Sequence, residues 1–206
     1  MVESYRRRSP LASFGLPARA AAQSPEAVAD ADLQLGERPH RCQINLRGNP
    51  QDGRFLEAVR NAAGLALPTE PNRVAAAGEL KALWLGPDEW LILGPGGRET
   101  ELVGALARGL QGQHAGATDV SEARTWILVA GGRARALLAR GIPLDLHPRE
   151  FRPGHCAQTG LAGANIILQQ TDDRPSYEIG VTNSFADHLW RWLERGAIDY
   201  RVAISA

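Results

Sequence analysis

Lysine is almost missing from this chain: of 23 basic residues only Lys81 is a lysine, and the rest are arginine. A Schiff-base or general-base lysine therefore has one candidate position. An arginine-, alanine- and glycine-rich composition is also what GC-rich coding produces. Cysteine is nearly as scarce. Cys42 and Cys156 are the only two, and neither lies in a CxxC pair. One disulfide is arithmetically possible, but the expectation is a reduced, cytoplasmic chain. Net charge is absent too, with 23 basic residues against 23 acidic ones. No long-range field then favours nucleic acid or an anionic membrane surface. No apolar run approaches the roughly 20 residues that a membrane span needs. The start, Tyr5-Arg6-Arg7-Arg8-Ser9-Pro10, is basic, but Pro10, Gly15 and Pro17 interrupt any apolar run after it. No signal peptide is expected, and Arg6-Arg7 lack the apolar stretch of a twin-arginine signal.

Nucleotide-binding loops are missing as well. Gly94-Pro95-Gly96-Gly97 is the nearest approach to G-x-G-x-x-G. Its proline removes an N–H donor, and no third glycine sits at the right step. There is no G-x-x-x-x-G-K-[ST] loop and no G-x-S-x-G nucleophile elbow.

What is present is patterning. A chain of 206 residues can bury one good core, or two small ones sharing an interface. Residues 1–38 are rich in Ala, Pro, Ser and Arg and predict an extended or partly helical arm, ordered only if it packs on something. From 41 to 47 Cys42, Ile44 and Leu46 alternate with Arg41, Gln43, Asn45 and Arg47, the period of a half-buried strand. Asp52 offers an N-cap to a helix through Phe55, Leu56, Val59, Ala62 and Ala63 that Gly64 stops. Leu83-Trp84-Leu85-Gly86-Pro87-Asp88-Glu89-Trp90-Leu91-Ile92-Leu93 predicts two strands joined by a tight turn. A helix over 99–109 and a strand near 117–121 close the first half.

The second half repeats that order. A strand at 125–130 leads into a helix ended by Gly141 and Pro143. Further strands are expected near 155–161, 166–170 and 177–181, with Asp172-Asp173-Arg174-Pro175 as a turn. Ser184 and Asp187 suggest a capping box for a last helix striped by Phe185, Leu189, Trp192 and Leu193. Ile198, Tyr200, Val202 and Ile204 alternate as a terminal strand. The expected class is α+β: two consecutive ferredoxin-like β-α-β-β-α-β units at 39–121 and 122–206, behind the arm at 1–38.

Candidate chemistry is sparse. Asp88 and Glu89 sit at the hairpin tip, where exposure leaves both ionised and turn formation is the expected role. Asp119 and Ser121, just before Arg124, are better placed for a polar site. The structural alternative has Asp119 pairing with Arg124 or capping the turn. His147, His155 and Cys156 lie near one another in sequence, with His40 and His114 elsewhere, but zinc needs three or four converging ligands. Neighbours on a strand, His155 and Cys156 would point to opposite faces, and an apolar setting favours an inert thiol. Five tryptophans are a large number of rings for a chain this size. Trp84, Trp90, Trp190 and Trp192 are candidate interface residues, since tryptophan with arginine typifies interface hot spots. Burial in an ordinary core is the competing reading. Trp190 lies off the Leu189/Leu193 stripe and Trp192 near its edge, so at least one is expected at the surface.

Four motifs in order, Leu83–Leu93, Thr118–Thr125, Pro143–Phe151 with Pro153–Thr159, and Ser184–Leu193, together with Ser9-Pro10-Leu11-Ala12 in the arm, resemble the gamma subunit of heterotetrameric sarcosine oxidase. The resemblance covers nearly the whole chain. It implies a cytoplasmic complex that oxidatively demethylates sarcosine to glycine, with hydrogen peroxide and either formaldehyde or methylene-tetrahydrofolate as products. It also implies alpha, beta and delta partners, alpha being the main contact. FAD, FMN, NAD, zinc and tetrahydrofolate would belong to those other subunits. On this chain it implies no catalytic, cofactor-binding or metal residue, and a structural role in assembly. Whether the parent complex takes sarcosine or another N-methyl amine stays open.

A more distant resemblance links Asp119-Val120-Ser121, the Trp126–Val129 strand and the Gly131–Leu138 turn to the T-protein/TrmE-type folate-binding fold of glycine-cleavage T proteins. The strand matching the one that carries that family's acidic pair is Gly163-Ala164-Asn165-Ile166-Ile167-Leu168, which has no carboxylate. A stand-alone folate-binding, aminomethyltransferase-like or regulatory protein is therefore the alternative reading.

Overall fold

Local signals place the elements, and long-range pairing decides what they become. The computed structural model describes residues 7–205, so the Tyr5-Arg6 part of the basic start lies outside them. A 3-10 turn at Ala12–Phe14 leads into helices α1 (Leu16–Ala21) and α2 (Pro25–Ala29), then strand β1 (Leu33–Arg38). The first half comprises β2 (Cys42–Arg47), α3 (Gly53–Ala63), β3 (Val74–Ala77), β4 (Leu80–Gly86), β5 (Glu89–Gly94), α4 (Glu99–Gly109) and β6 (Gly116–Asp119). The second comprises β7 (Arg124–Ala130), α5 (Ala134–Leu138), β8 (Cys156–Leu161), β9 (Ala164–Asp172), β10 (Ser176–Thr182), α6 (Asn183–Gly196) and β11 (Val202–Ser205).

The ends of α3 form as the sequence predicts. The Asp52 carboxylate accepts from Arg54 N, and Gly64 closes the helix in the left-handed region at φ 66°. The box expected at Ser184 does not form. Strand β10 runs straight into α6, the Thr182 side chain makes no capping bond, and Asp187 is held instead by Arg191 one turn on, at 2.6 Å. The terminal strand is shorter than its alternation suggests. A turn from Ala197 to Tyr200 comes after α6, so β11 begins only at Val202 and Ile198 is 81% exposed.

One sheet has the order β3-β4-β5-β2-β6, all antiparallel. The other runs β11-β1-β7-β10-β9-β8, antiparallel except for the parallel pair β1/β11. The arm thus contributes an interior strand of the second sheet, and Leu11 and Leu16 are buried in its core.

Alternation along the strands sends side chains to two covered faces. Phe55, Val59, Leu102 and Leu106 of α3 and α4 pack on Ile44, Leu46, Trp90 and Ile92. Leu137, Leu138, Leu189 and Leu193 of α5 and α6 pack on Ile127, Val129, Ile179 and Val181. The remaining faces meet each other through Leu83, Leu91, Leu93, Trp126, Cys156 and Ile167. The sheets therefore lie back to back with helices outside. This corrects the half-buried reading of residues 41–47: Gln43, on the polar side, is fully buried because the other sheet covers it.

Candidate functional site

The stacked inner faces carry the main concentration of buried polar groups. Gln43 on β2 is the hub of one cluster. Its amide donates to Ser121 O (3.2 Å) and Arg124 O (2.8 Å), and its Oε1 accepts from Trp126 Nε1 at 3.1 Å. The backbone N–H of Gln43 donates to Ser121 Oγ at 2.9 Å. Asp119 Oδ1 accepts from both Ser121 N (2.9 Å) and Ser121 Oγ (2.6 Å). Asp119 thus caps the turn, one of its two expected structural roles, while Arg124 enters through its carbonyl. Ser121 Oγ has a carboxylate acceptor but no imidazole in its hydrogen bonds, so it lacks the base relay of an activated serine.

A second cluster surrounds Glu178 on β10. Its carboxylate is 2.9 Å from Arg41, 3.7 Å from Lys81 and 2.7 Å from Gln169 Nε2. The single lysine is thereby an ion-pair partner. Glu37 on β1 makes a third contact set, accepting from Thr125 Oγ1 at 2.7 Å and from Ser9 Oγ. Gln43, Glu37 and Glu178 were not marked by sequence reasoning. The available signal was a charged residue inside otherwise apolar strands, as in Ser176-Tyr177-Glu178-Ile179.

At the hairpin, Trp84 lies opposite Trp90 in register, and a bulge intervenes before Gly86 meets Glu89. The Asp88 carbonyl accepts from Gly48 N at 3.1 Å, tying the turn to the end of β2. Arg47 reaches Glu89 at 2.7 Å and Asp88 at 3.6 Å. Beside this turn is a surface cleft of about 830 Å³, lined by Arg47, Phe55, Pro87, Asp88 and His114 among others.

The histidines and cysteines do not converge. His147 Nδ1 accepts from Arg149 N, and Arg73 contacts the ring of His155. Among the described residues no three His, Cys, Asp or Glu side chains form a metal-ligand group. Cys156 Sγ lies 3.4 Å from Arg73 O and 3.5 Å from Trp84 O as a donor. Burial pushes its thiol up to about 12 and that of Cys42 up to about 11.

The four tryptophans singled out divide evenly. Trp90 is fully buried, packs at a tilt against Phe55 (5.7 Å between centroids) and donates to Pro68 O at 2.8 Å. Trp190 is fully buried with Phe14 at 6.1 Å. Trp84 and Trp192 are half-buried. The space over Gly141 is filled by the Trp192 ring, where a Cβ would stand 2.6 Å from it.

Known proteins share this architecture. The model of the sarcosine oxidase, gamma subunit family matches residues 47–199. A sarcosine oxidase subunit gamma from Corynebacterium sp. (strain P-1) is 35% identical over 162 residues, 78% of each chain. One from an Arthrobacter species is 34% identical over 91% of this chain and 88% of that one. A chain of the heterotetrameric sarcosine oxidase of Corynebacterium sp. U-96, solved with pyrrole 2-carboxylate, superposes with a TM-score of 0.83 and 30% identity, covering 97% of this chain and 99% of that one. The aminomethyltransferase T of the glycine cleavage system from Bartonella henselae shares the fold at a TM-score of 0.69 and 17% identity, over 97% of this chain and 59% of that one. This chain belongs to the sarcosine oxidase gamma subunit family.

Proposed function

We propose that the chain is a non-catalytic subunit of a heterotetrameric sarcosine oxidase, acting in assembly beside alpha, beta and delta subunits. The observation that carries this reading is the end-to-end likeness to a chain of the Corynebacterium heterotetramer, which leaves almost nothing unmatched on either side. The chemistry is consistent with it. Glu178 and Cys156 are committed to contacts between the two sheets, Glu37 to a bond within the second sheet and to the arm, and Asp119 to the turn between β6 and β7. FAD, FMN, NAD, zinc and tetrahydrofolate then belong to the partner subunits, in the cytoplasm. The described residues include no helix long and apolar enough to cross a membrane. Trp84 and Trp192 are the interface candidates with ring surface available, and alpha is the main contact. The stand-alone folate-binding reading is not favoured, since the T-protein likeness is one of fold.

The strand orders also support two ferredoxin-like units at 39–121 and 122–206. Each half contains the antiparallel series first–third–second, with an additional edge strand, β3 or β8. The fourth strand is β6 in one half and β11 in the other, β11 being separated from β7 by the β1 strand of the arm.

Co-expression with and without the alpha, beta and delta chains tests the assignment. The expected result is co-purification of this chain with the others and loss of assembled oxidase when it is omitted. A monomeric chain in the mixture, with full activity in its absence, would remove the proposal.

A further inference from the structure

The two sheets are joined at one place by main chain as well as side chain. Arg73 and His155 form an antiparallel bridge just ahead of β3 and β8. Val74 N donates to Gly154 O and Cys156 N to Asn72 O, both at 2.9 Å. The Arg73 guanidinium lies against Nε2 of His155, while His155 Nδ1 is 3.2 Å from the carbonyl of Glu150. A guanidinium can only donate. An imidazole that accepts from arginine at Nε2 and donates to a carbonyl from Nδ1 is neutral, with its proton on Nδ1.

We infer that His155 is a proton-sensitive latch on this seam: protonation at Nε2 replaces a hydrogen bond from Arg73 with an encounter of two cationic donors and loosens the link between the sheets. The surroundings offer the imidazolium little compensation. From the segment before β3 come Arg73 and Glu70, whose carboxylate pairs with Arg73 Nε at 3.2 Å. The loop before β8 supplies Glu150 through its carbonyl, Asp145, which accepts from His147 N, and the cation Arg152. Phe151 meets the ring edge-on at 5.9 Å, and Cys156, the next residue and the first of β8, keeps its proton. No carboxylate oxygen of a described residue forms a salt bridge with this ring. Burial, and after it the Arg73 charge, holds His155 below the ordinary histidine value. The unfolded or opened seam therefore takes up the proton first. Stability from the neutral ring is complete above about pH 6.5 and is lost as pH falls from there toward the folded-state value.

Val74 and Cys156 supply reporter amides. Hydrogen exchange on the full chain, corrected for intrinsic rates, should show their protection falling several-fold between about pH 7.5 and about pH 5.5. The amide of Ile127, inside the second sheet, should hold its protection. In His155→Gln the pH dependence at the two reporters should vanish. Arg73→Leu, which removes the opposing charge but leaves the burial, should weaken the pH dependence without abolishing it and serves if the first variant does not fold. Imidazole nitrogen spectra should place the neutral proton on Nδ1. Unchanged protection across this range, or a His155 that carries its neutral proton on Nε2 and titrates at or above about 6.5, would overturn the inference.

Discussion

The side-chain amide of Gln23 bonds to both backbone groups of Ile204. Oε1 accepts from its N–H and Nε2 donates to its carbonyl, each at 2.8 Å. Ile204 lies on β11, the outermost strand of its sheet, where unpaired backbone groups would invite another chain. One glutamine from the linker between α1 and α2 supplies the two bonds that a further strand would make.

Removing that amide leaves the Ile204 N–H and carbonyl partly buried and unpaired. Gln23→Ala should cost about 2 kcal/mol, lowering the melting temperature by roughly 4–8 °C for a chain of this size. Thermal unfolding checks the loss, and sedimentation checks whether the uncovered edge self-associates. An unchanged midpoint would mean that α1 and α2 protect β11 without Gln23.

The Glu178 cluster makes a different prediction. Arg41 and Lys81 keep 20% and 29% of their side-chain surface, so water partly screens them. Glu178→Gln should therefore cost about 1–3 kcal/mol, less than breaking a fully buried pair. High salt should narrow the gap between wild type and variant in denaturant unfolding. A salt-independent gap would assign the loss to the Gln169 bond.

Helices and hairpins were readable from sequence because their signals are local. Asp52, Gly64 and the Trp84/Trp90 pair each announce an element within a dozen residues. What covers a face is not local. The alternation of Cys42, Ile44 and Leu46 with Gln43 and Asn45 shows that two faces differ, and says nothing of a second sheet stacked on the polar one. Likewise Leu33–Arg38 becomes a strand by pairing with residues 126–130 and 202–205, far along the chain. Val74–Ala77 is alanine-rich and poor in strand propensity, and its pairing with β4 makes it one. Of the candidate site, the Asp119–Ser121 turn was visible, whereas Gln43 and Glu178 acquire their importance only once the sheets meet.

The two thiols should be inert in the native chain. Burial holds Cys156 near 12 and Cys42 near 11, so the thiolate fraction at about pH 8 is very small. A thiol reagent should label neither residue in the folded protein and both after denaturation, as counted by mass spectrometry. Rapid native labelling of Cys156 would show that the inner seam opens.

Among the hairpin tryptophans, Trp90 should matter more to folding than Trp84. Trp90 fills the first core against Phe55 and satisfies Pro68 O. Trp90→Ala should cost about 3–5 kcal/mol. Trp84 is half-buried, so Trp84→Ala should cost less in the isolated chain and show its larger effect in co-purification with the partner subunits. Equal losses of stability with normal assembly would remove Trp84 from the interface.

Asp88 gives the sharpest separation of turn from chemistry. Its carboxylate is 64% exposed and reaches Arg47 only at 3.6 Å, whereas its carbonyl holds Gly48 N. Asp88→Asn keeps that carbonyl and removes an exposed ion pair of about 0–1 kcal/mol. Stability should change little, and turnover of the assembled oxidase should stay at the wild-type level. Glu89→Ala loses more, since Glu89 accepts from Asn45 Nδ2 and from Arg47, both at 2.7 Å, and anchors the turn to β2. Its cost should be about 1 kcal/mol or somewhat above, again without effect on turnover once assembled. A steep fall in turnover for Asp88→Asn, with the complex intact by gel filtration, would place a reacting group at the hairpin tip and contradict the assembly role assigned to this chain.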